Sequence, residues 1–266
     1  MLLAVSVEAA PVSFKGEIAP LLRAQCQSCH GARDSQGDFR VNSFVELMRA
    51  LEDEPARVLP GRSGNSLLFQ LLTSADEDER MPQKSGALPA KTIALVKRWI
   101  DEGAKFDGED SKATLARVIP ARVHAAAPKV YGRNMPITAL AFSPDGSLLA
   151  TGALREIILW NTADGKMVRR IPNMAQRTFA LAWHPKDGTI FAGGGIPGEL
   201  GEVRAFTPAG KLLAALHRAG DVVLDVQLDA NATRLAVGDA DNLITLYDPT
   251  EFSILRQIDN HSDWVW

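Results

Sequence analysis

Residues 26–30 read Cys26-Gln27-Ser28-Cys29-His30, and this stretch decides how the first part of the chain is interpreted. Two cysteines flank two residues and a histidine follows at once, which is the attachment pattern for c-type heme. The spacing lets two thioethers reach the two vinyl groups of one porphyrin, with the imidazole beneath the iron. The chain has two cysteines in all. A zinc ribbon is excluded because it needs further cysteine thiolates. A disulfide or redox pair with a chance histidine is the alternative. The stretch predicts one covalent heme c per chain, with Cys26, Cys29 and His30 in the site.

Length and composition exclude some broad classes of function. A chain of 266 residues is long enough for two domains. Its net charge of -3 gives no bulk electrostatic case for nucleic-acid binding. No apolar run reaches the length of a transmembrane helix.

Residues 1–11 are apolar and resemble the end of a secretory signal peptide. Val7-Glu8-Ala9-Ala10 is similar to a small-residue cleavage site, although no positively charged segment precedes it. The alternative is an ordered first strand or a frayed end. Covalent heme attachment favours export, so we expect the protein on the periplasmic or cell-envelope side of a bacterial membrane.

Two amphipathic helices frame the first hundred residues. Ser13 can cap a first helix that leads directly into the cysteine pair, and Gly103 can end a second helix that opens at Leu88-Pro89. Apolar side chains recur on one face of each helix; they are Phe14, Ile18, Leu21 and Leu22 in the first, and Ile93, Val96 and Ile100, with Leu95 and Trp99 beside them, in the second.

Four side chains after His30 could supply the sixth iron ligand: Met48, Met81, His124 and Met135. Met48 lies in an apolar, helix-like run and is typical of core packing. Met81 lies in a loop before the second helix, where Pro82 favours an extended backbone. We therefore predict Met81 as the ligand; the alternative is a loop methionine that covers the heme edge. A thioether opposite imidazole raises the reduction potential.

Two loops of this region have weaker interpretations. Residues 59–66 form a turn that could offer a backbone carbonyl to the imidazole N–H of His30, while Arg62 could pair with a propionate. Residues 76–79 are all acidic and could steer a basic redox partner toward the heme edge. A plain turn explains residues 59–66 as well as the functional interpretation does. For the acidic run, a solvated loop is the favoured interpretation.

Residues 12–108 resemble the planctomycete-type cytochrome c domain. The shared positions are Phe14, Ile18, Pro20, Leu21, Cys26, Cys29, His30, Gly31, Pro60, Gly61, Ser66, Leu67, Met81, Pro82, Leu88 and residues 99–104. The resemblance implies an all-α heme domain whose two framing helices cross near Phe14 and Trp99. In one departure, Gln83 stands where the family commonly has a second proline.

Residues 109–132 are rich in proline and alanine, which is typical of an extended tether or of the opening strand of the next domain. His124 lies in this segment, outside the heme domain, and is interpreted as incidental.

Residues 133–266 contain a repeat with a period in the low forties. Its start recurs at residues 139–146, 180–188 and, more weakly, 226–233. Each start precedes a strand that ends in small residues and a second strand that ends in an aromatic: Trp160, Phe206 or Tyr247. A glycine-rich insertion at residues 193–201 lengthens the second copy. The period and strand count resemble a WD-repeat β-propeller.

Residues 261–265 resemble the opening of a fourth repeat. Three blades do not close a ring, since propellers take about four to eight. The expected architecture is therefore multi-domain, with an all-α cytochrome c-like domain followed by all-β WD-repeat propeller blades in an incomplete ring. We expect the chain to be a fragment of a longer protein.

The leading functional hypothesis is single-electron transfer, with the propeller as a docking platform that holds a redox partner protein near the heme edge. The alternative is a heme-based enzyme or a redox or gas sensor with an open sixth iron site. No hydrolase triad, phosphate loop or second heme motif is present in the sequence, so an electron carrier is favoured over a catalyst.

Overall fold

The computed structural model describes residues 10–31, 35–50, 56–83, 86–132 and 134–263. Most of the segment interpreted as a signal-peptide remnant, residues 1–9, lies outside them. The helices of the first part begin with a π-helical turn at Phe14–Ile18, and short 3-10 turns lie at Gln36–Asp38 and Ser63–Asn65. The α-helices are α1 (Ala19–Gln25), α2 (Phe44–Leu47), α3 (Leu67–Leu72), α4 (Ala90–Asp101) and α5 (Leu115–Val118).

The framing helices meet as the sequence predicts. The Ser13 hydroxyl accepts a hydrogen bond from the Gly16 N–H at 2.9 Å and caps the π-helical turn. Gly103 follows α4 with φ of 101°. The Phe14 and Trp99 rings lie 5.7 Å apart, and both side chains are buried in the core of the helical region. The predicted crossing contact between the two helices is confirmed.

The acidic residues at the end of α4 tie distant parts of the helical region together. Asp101 accepts a hydrogen bond from the Ser63 N–H at 3.0 Å, and the Ile100 carbonyl accepts one from the Gly61 N–H at 2.7 Å. Glu102 accepts one from the Val12 N–H at 2.7 Å. The end of α4 therefore holds both the first helix and the turn at residues 59–66.

Three four-stranded antiparallel sheets follow, each with its strands in sequence order. They confirm the predicted blades, and in the part of the chain that the structure describes they form an incomplete propeller. Trp264, Val265 and Trp266 lie outside that part, so the predicted fourth repeat stays a prediction. The strands are, in blade 1, β1 (Leu140–Phe142), β2 (Leu148–Ala153), β3 (Glu156–Asn161) and β4 (Met167–Pro172); in blade 2, β5 (Arg177–Trp183), β6 (Ile190–Ile196), β7 (Leu200–Phe206) and β8 (Leu212–Ala219); and in blade 3, β9 (Val223–Leu228), β10 (Leu235–Asp239), β11 (Ile244–Tyr247) and β12 (Ile254–Ile258).

The glycine-rich insertion forms part of the blade 2 hairpin. Gly194 pairs with Glu202 between β6 and β7. A Cβ at Gly194 would lie 2.0 Å from the Arg177 carbonyl oxygen, and one at Gly201 would lie 2.0 Å from that of Asp221. Since backbone atoms occupy the space that a side chain needs, these positions accept glycine alone.

Residues 109–132 are bound along their length, unlike a free tether. Leu115 of α5 belongs to the core of the helical region, while its neighbour Ala116 packs in the core shared by blades 2 and 3. Further on, the Pro120 carbonyl accepts a hydrogen bond from Arg218 of β8 at 3.0 Å. The segment thus connects the helical region to the blades through fixed contacts.

Two glutamate–arginine pairs of the blades, each with a buried glutamate, bind this segment. In blade 2, Arg204 pairs with Glu202 and donates to the Arg122 carbonyl at 2.5 Å. Glu202 also bonds the His124 ring at 2.5 Å. His124, interpreted from the sequence as incidental, therefore has a structural partner in blade 2.

The blade 1 pair binds the end of the same segment. Arg170 pairs with Glu156 at 2.6 Å and donates to the Lys129 carbonyl at 3.2 Å. Glu156 accepts a hydrogen bond from the Tyr131 hydroxyl.

Among the described residues, no helix is both long and apolar enough to cross a membrane.

Candidate functional site

The cysteine pair lies in a tight turn at the end of α1. The N–H groups of Cys29 and His30 both donate to the Cys26 carbonyl, at 3.2 and 3.0 Å. Cys26 is half-buried against the core of the helical region, whereas Cys29 is exposed, and neither forms a disulfide. One turn therefore presents two free thiols and the imidazole.

The two thiols of the pair lie in different surroundings. Burial, with a smaller contribution from nearby Cys29, raises the pKa of the Cys26 thiol to about 12. Cys26 is therefore kept as a neutral thiol. Thioether formation adds S–H across a vinyl double bond, and a neutral thiol supplies that S–H.

The backbone holds the His30 ring in one tautomer. Its Nδ1 lies 3.1 Å from the Gln36 carbonyl oxygen, to which it donates in the Nδ1–H tautomer. In that tautomer, Nε2 is the nitrogen that keeps a lone pair with which to ligate a metal. Burial lowers the pKa of His30, which favours the neutral imidazole that metal ligation requires. The Phe39 ring packs against the imidazole, with the ring centroids 5.1 Å apart.

The prediction that residues 59–66 supply this carbonyl is wrong. Gln36 supplies it instead, while the 59–66 turn is held by α4 and by the Ser66 hydroxyl, which accepts from the Leu59 N–H at 2.8 Å. Every residue carries a carbonyl, so no side-chain pattern marks the one that the fold selects. Arg62 is exposed.

Arg57 supports the Gln36 turn and was missed by the sequence reasoning. Its guanidinium donates to the Asp38 carbonyl at 2.7 Å and to the Gly37 carbonyl at 2.9 Å. It also lies 5.2 Å from the centroid of the Phe39 ring. One buried cation therefore holds both contacts of the histidine in place, and no motif in the sequence marks it.

Met81 lies beside an open groove of about 580 Å³. Its N–H donates to the Leu71 carbonyl at 3.0 Å, and its side chain packs against the same core as Cys26 and Met48. His30 is not among the described residues that line this groove. The lining residues are Leu67, Gln70, Leu71, Ser74, Glu79, Met81 and Gln83.

These donors fit a c-type heme. Two thiols share a turn with an imidazole whose Nδ1 contacts the Gln36 carbonyl, and a methionine thioether borders an open groove on the same core. In the described part of the chain, no cluster of three or more His, Cys, Asp or Glu side chains is placed to hold a metal ion.

The other candidates have structural surroundings. Met48 packs against the core of the helical region, as predicted. The acidic residues 76–79 are exposed; Glu77 pairs with Arg80 at 3.1 Å, and Asp76 accepts from the Asp78 N–H. These contacts are typical of a solvated loop. Met135 is half-buried.

Comparison with known proteins finds a family match in each part of the chain. Residues 26–85 match the family described as Planctomycete cytochrome C, and residues 128–161 match the WD domain, G-beta repeat. A solved structure of U3-55K is 19% identical, with a TM-score of 0.43, over 51% of this chain and 42% of that chain. No curated protein matches the chain.

Proposed function

We propose that this chain, which joins a planctomycete-type cytochrome c region to WD-repeat blades, binds one heme c covalently and carries single electrons. Cys26 and Cys29 form the thioethers, His30 is the proximal ligand and Met81 the sixth ligand. The observation that carries the proposal is the bond from His30 Nδ1 to the Gln36 carbonyl at 3.1 Å, because it directs Nε2 to a metal. The bound heme supplies one-electron chemistry at its iron.

The protein residues set the conditions for that chemistry. The Gln36 carbonyl fixes the imidazole and increases its basicity as a ligand. Met81 contributes a soft thioether, which raises the reduction potential. Arg57 keeps the Gln36 turn in place, so that the imidazole does not need to reorient when the iron changes oxidation state.

The WD-repeat part supports protein–protein interaction. We propose that a redox partner docks on the blades near the heme edge, which raises its effective concentration there. Residues 12–108 would form the heme domain and residues 133–266 the docking blades. Covalent heme attachment supports export to the periplasmic or cell-envelope side of a bacterial membrane.

One observation favours the alternative, a heme enzyme or sensor with an open sixth site. The groove beside Met81 is open and includes the polar side chains of Gln70, Glu79 and Gln83. Polar groups and access at the sixth position are the features that allow an iron to bind small molecules. In that case Met81 covers the groove and does not ligate.

The test is the visible absorption spectrum of the ferric protein matured in a host that attaches heme. We expect the weak long-wavelength charge-transfer band of methionine-ligated iron. Met81→Leu, which conserves volume, should abolish the band, lower the reduction potential and open the iron to added ligands. Met48→Leu is the matched control, since Met48 packs on the same core, and it should retain the band. A high-spin spectrum of the wild-type protein would instead support the open-site alternative.

A further inference from the structure

The heme-attachment turn, residues 26–31, and the helix before it lie against the outer strands of two blades. The Arg23 guanidinium donates to the Ala215 carbonyl of β8 at 2.8 Å. The Gln27 side-chain oxygen accepts a hydrogen bond from the Ile254 N–H of β12 at 3.3 Å. Only 9% of Arg23 and 1% of Gln27 is exposed. One of the two residues between the cysteines is thus buried against blade 3.

These contacts satisfy backbone groups at sheet edges. Strands β8 and β12 are edge strands of their sheets, and edge strands carry N–H and C=O groups without a partner in the ladder. The pairing of β11 with β12 is irregular next to Tyr247 and Ile254, and there Gln27 supplies the acceptor for the Ile254 N–H. The turn therefore supplies a hydrogen-bond partner to a backbone group at the edge of blade 3.

The residue after His30 shows how closely the two parts approach. Gly31 is buried. A Cβ at this position would lie 2.8 Å from the Gln27 carbonyl oxygen and 3.3 Å from the Ile254 carbonyl oxygen. Because both neighbours are backbone atoms, they have little freedom to move aside. The backbone just after the proximal histidine is confined between its own turn and β12.

Arg23 fixes the helix before the turn to the interior of blade 3. Its guanidinium lies 5.9 Å from the centroid of the Tyr247 ring. The Tyr247 hydroxyl bonds His217 Nδ1 at 2.9 Å, and His217 Nε2 bonds Asp239 at 2.9 Å. Since all four side chains are buried, the helix is anchored on a rigid, hydrogen-bonded network.

We propose that strands β8 and β12 complete the scaffold of the heme-attachment turn, and that Gln27 is the positioning residue that locks the turn, and with it His30, against blade 3. The helical region and the blades then act as one body, and a partner docked on the blades meets the heme in a single orientation. The redox consequence rests on the proposed heme function, whereas the docking contact does not.

The test compares the two residues between the cysteines in the full chain. Gln27→Leu removes the acceptor and keeps much of the volume. Ser28→Ala changes the neighbouring position, whose hydroxyl contacts the Cys29 sulfur at 3.9 Å. The first readout is hydrogen exchange of the Ile254 amide in the heme-free protein. The second, on the heme-loaded protein, is the pH at which the methionine charge-transfer band disappears.

We expect Gln27→Leu to speed Ile254 exchange about fivefold to tenfold, which corresponds to one lost hydrogen bond. The same change should move the pH midpoint of the band by about one unit. Ser28→Ala should leave the exchange rate within about twofold and the pH midpoint within about 0.3 unit. Gly31→Ala, whose Cβ would press against the Gln27 and Ile254 carbonyl oxygens while the Gln27 side chain stays unchanged, should also speed the exchange.

Two results would overturn the proposal. An unchanged Ile254 amide in both Gln27→Leu and Gly31→Ala would show that the turn does not dock on β12. An equal response of Ser28→Ala, or faster exchange with an unmoved pH midpoint, would show that Gln27 does not position the heme. If the wild-type chain attaches no heme, the proposed function and the positioning role both fail, while the exchange of Ile254 still decides whether the turn docks.

Discussion

Arg204→Ala should destabilise the blades far more than the equivalent change in blade 1. The Arg204 side chain is fully buried, and its Nε lies 2.8 Å from a Glu202 oxygen. It also donates to the Asn173 carbonyl at 2.6 Å and to the Arg122 carbonyl at 2.5 Å. The substitution removes the cation and leaves a carboxylate that is 1% exposed with His124 as its remaining hydrogen-bond partner among the described side chains.

The cost follows from burial. Breaking a buried ion pair by removing one partner costs about 3–5 kcal/mol, because the other charge stays desolvated. At about 2–4 °C per kcal/mol for a chain of this size, the thermal midpoint of the blades should fall by about 6–20 °C. Arg170 of blade 1 pairs with Glu156 in the same way, but its side chain is 32% exposed. Since water can replace part of the pairing there, Arg170→Ala should cost clearly less.

The assay is thermal unfolding of the full chain followed by circular dichroism, together with tryptic cleavage after Arg122. Arg204→Ala should lower the midpoint and speed this cleavage, because the carbonyl of the scissile bond loses its donor. The double variant Arg204→Met with Glu202→Gln should recover much of the stability, since no buried charge remains unpaired. A loss below about 1 kcal/mol, or an equal loss for Arg170→Ala, would refute this reasoning.

Two further predictions concern the same blades. Mainly through burial, the fold lowers the pKa of His124, so the folded state disfavours the proton, and stability should fall as the pH drops below the unfolded value near 6.5. The protection of the His124 amide, which donates to Asn173 at 2.8 Å, should therefore fall between pH 7.5 and 5.5 when its exchange is compared with the intrinsic rate at each pH. His124→Gln should remove this effect, and His261→Gln, at an exposed site, should keep it. Gly194→Ala should lower the free energy of unfolding by about 3 kcal/mol or more through overpacking, since its Cβ would lie 2.0 Å from the Arg177 carbonyl oxygen. Gly64→Ala is the control, because its Cβ points into open space. A denaturant midpoint that falls equally in both variants would contradict this account.

Local patterns in the sequence were sufficient to predict the elements. The Ser13 cap and the small-residue and aromatic strand ends of each repeat are short-range signals, and the structure confirms them; the contact between Phe14 and Trp99 was instead implied by the family resemblance. Each depends on neighbours within one helix turn or one strand pair, where spacing alone decides which side chains share a face.

The residues that support the candidate site could not be predicted from such local patterns. The carbonyl that orients His30 belongs to Gln36, and a carbonyl has no residue-type signature. Arg57 holds the Gln36 turn from 20 residues or so further along the chain, and Gln27 occupies a position that the attachment pattern leaves open. These residues act through backbone contacts that only the folded chain creates.

The path of residues 109–132 explains why the first region of the chain touches the last blade. The segment begins at α5, where Arg117 donates to the Thr250 carbonyl between β11 and β12 of blade 3. It then passes Glu202 of blade 2 at His124 and reaches Glu156 of blade 1 at Tyr131 before β1 begins. It therefore runs against the order of the blades, from blade 3 toward blade 1.

One position of the repeat differs between the blades in a way that matches this path. Glu156 and Glu202 each lie four residues before the aromatic that ends their strand, whereas Leu243 lies four residues before Tyr247 in blade 3. Blade 3 lacks the carboxylate that binds the segment, and its outer strand is covered instead by Gln27 and Gly31 of the attachment turn. The glutamates of blades 1 and 2 thus bind the connecting segment at Tyr131 and His124, whereas blade 3, with leucine at this position, contacts the segment at Arg117 and the attachment turn at Gln27.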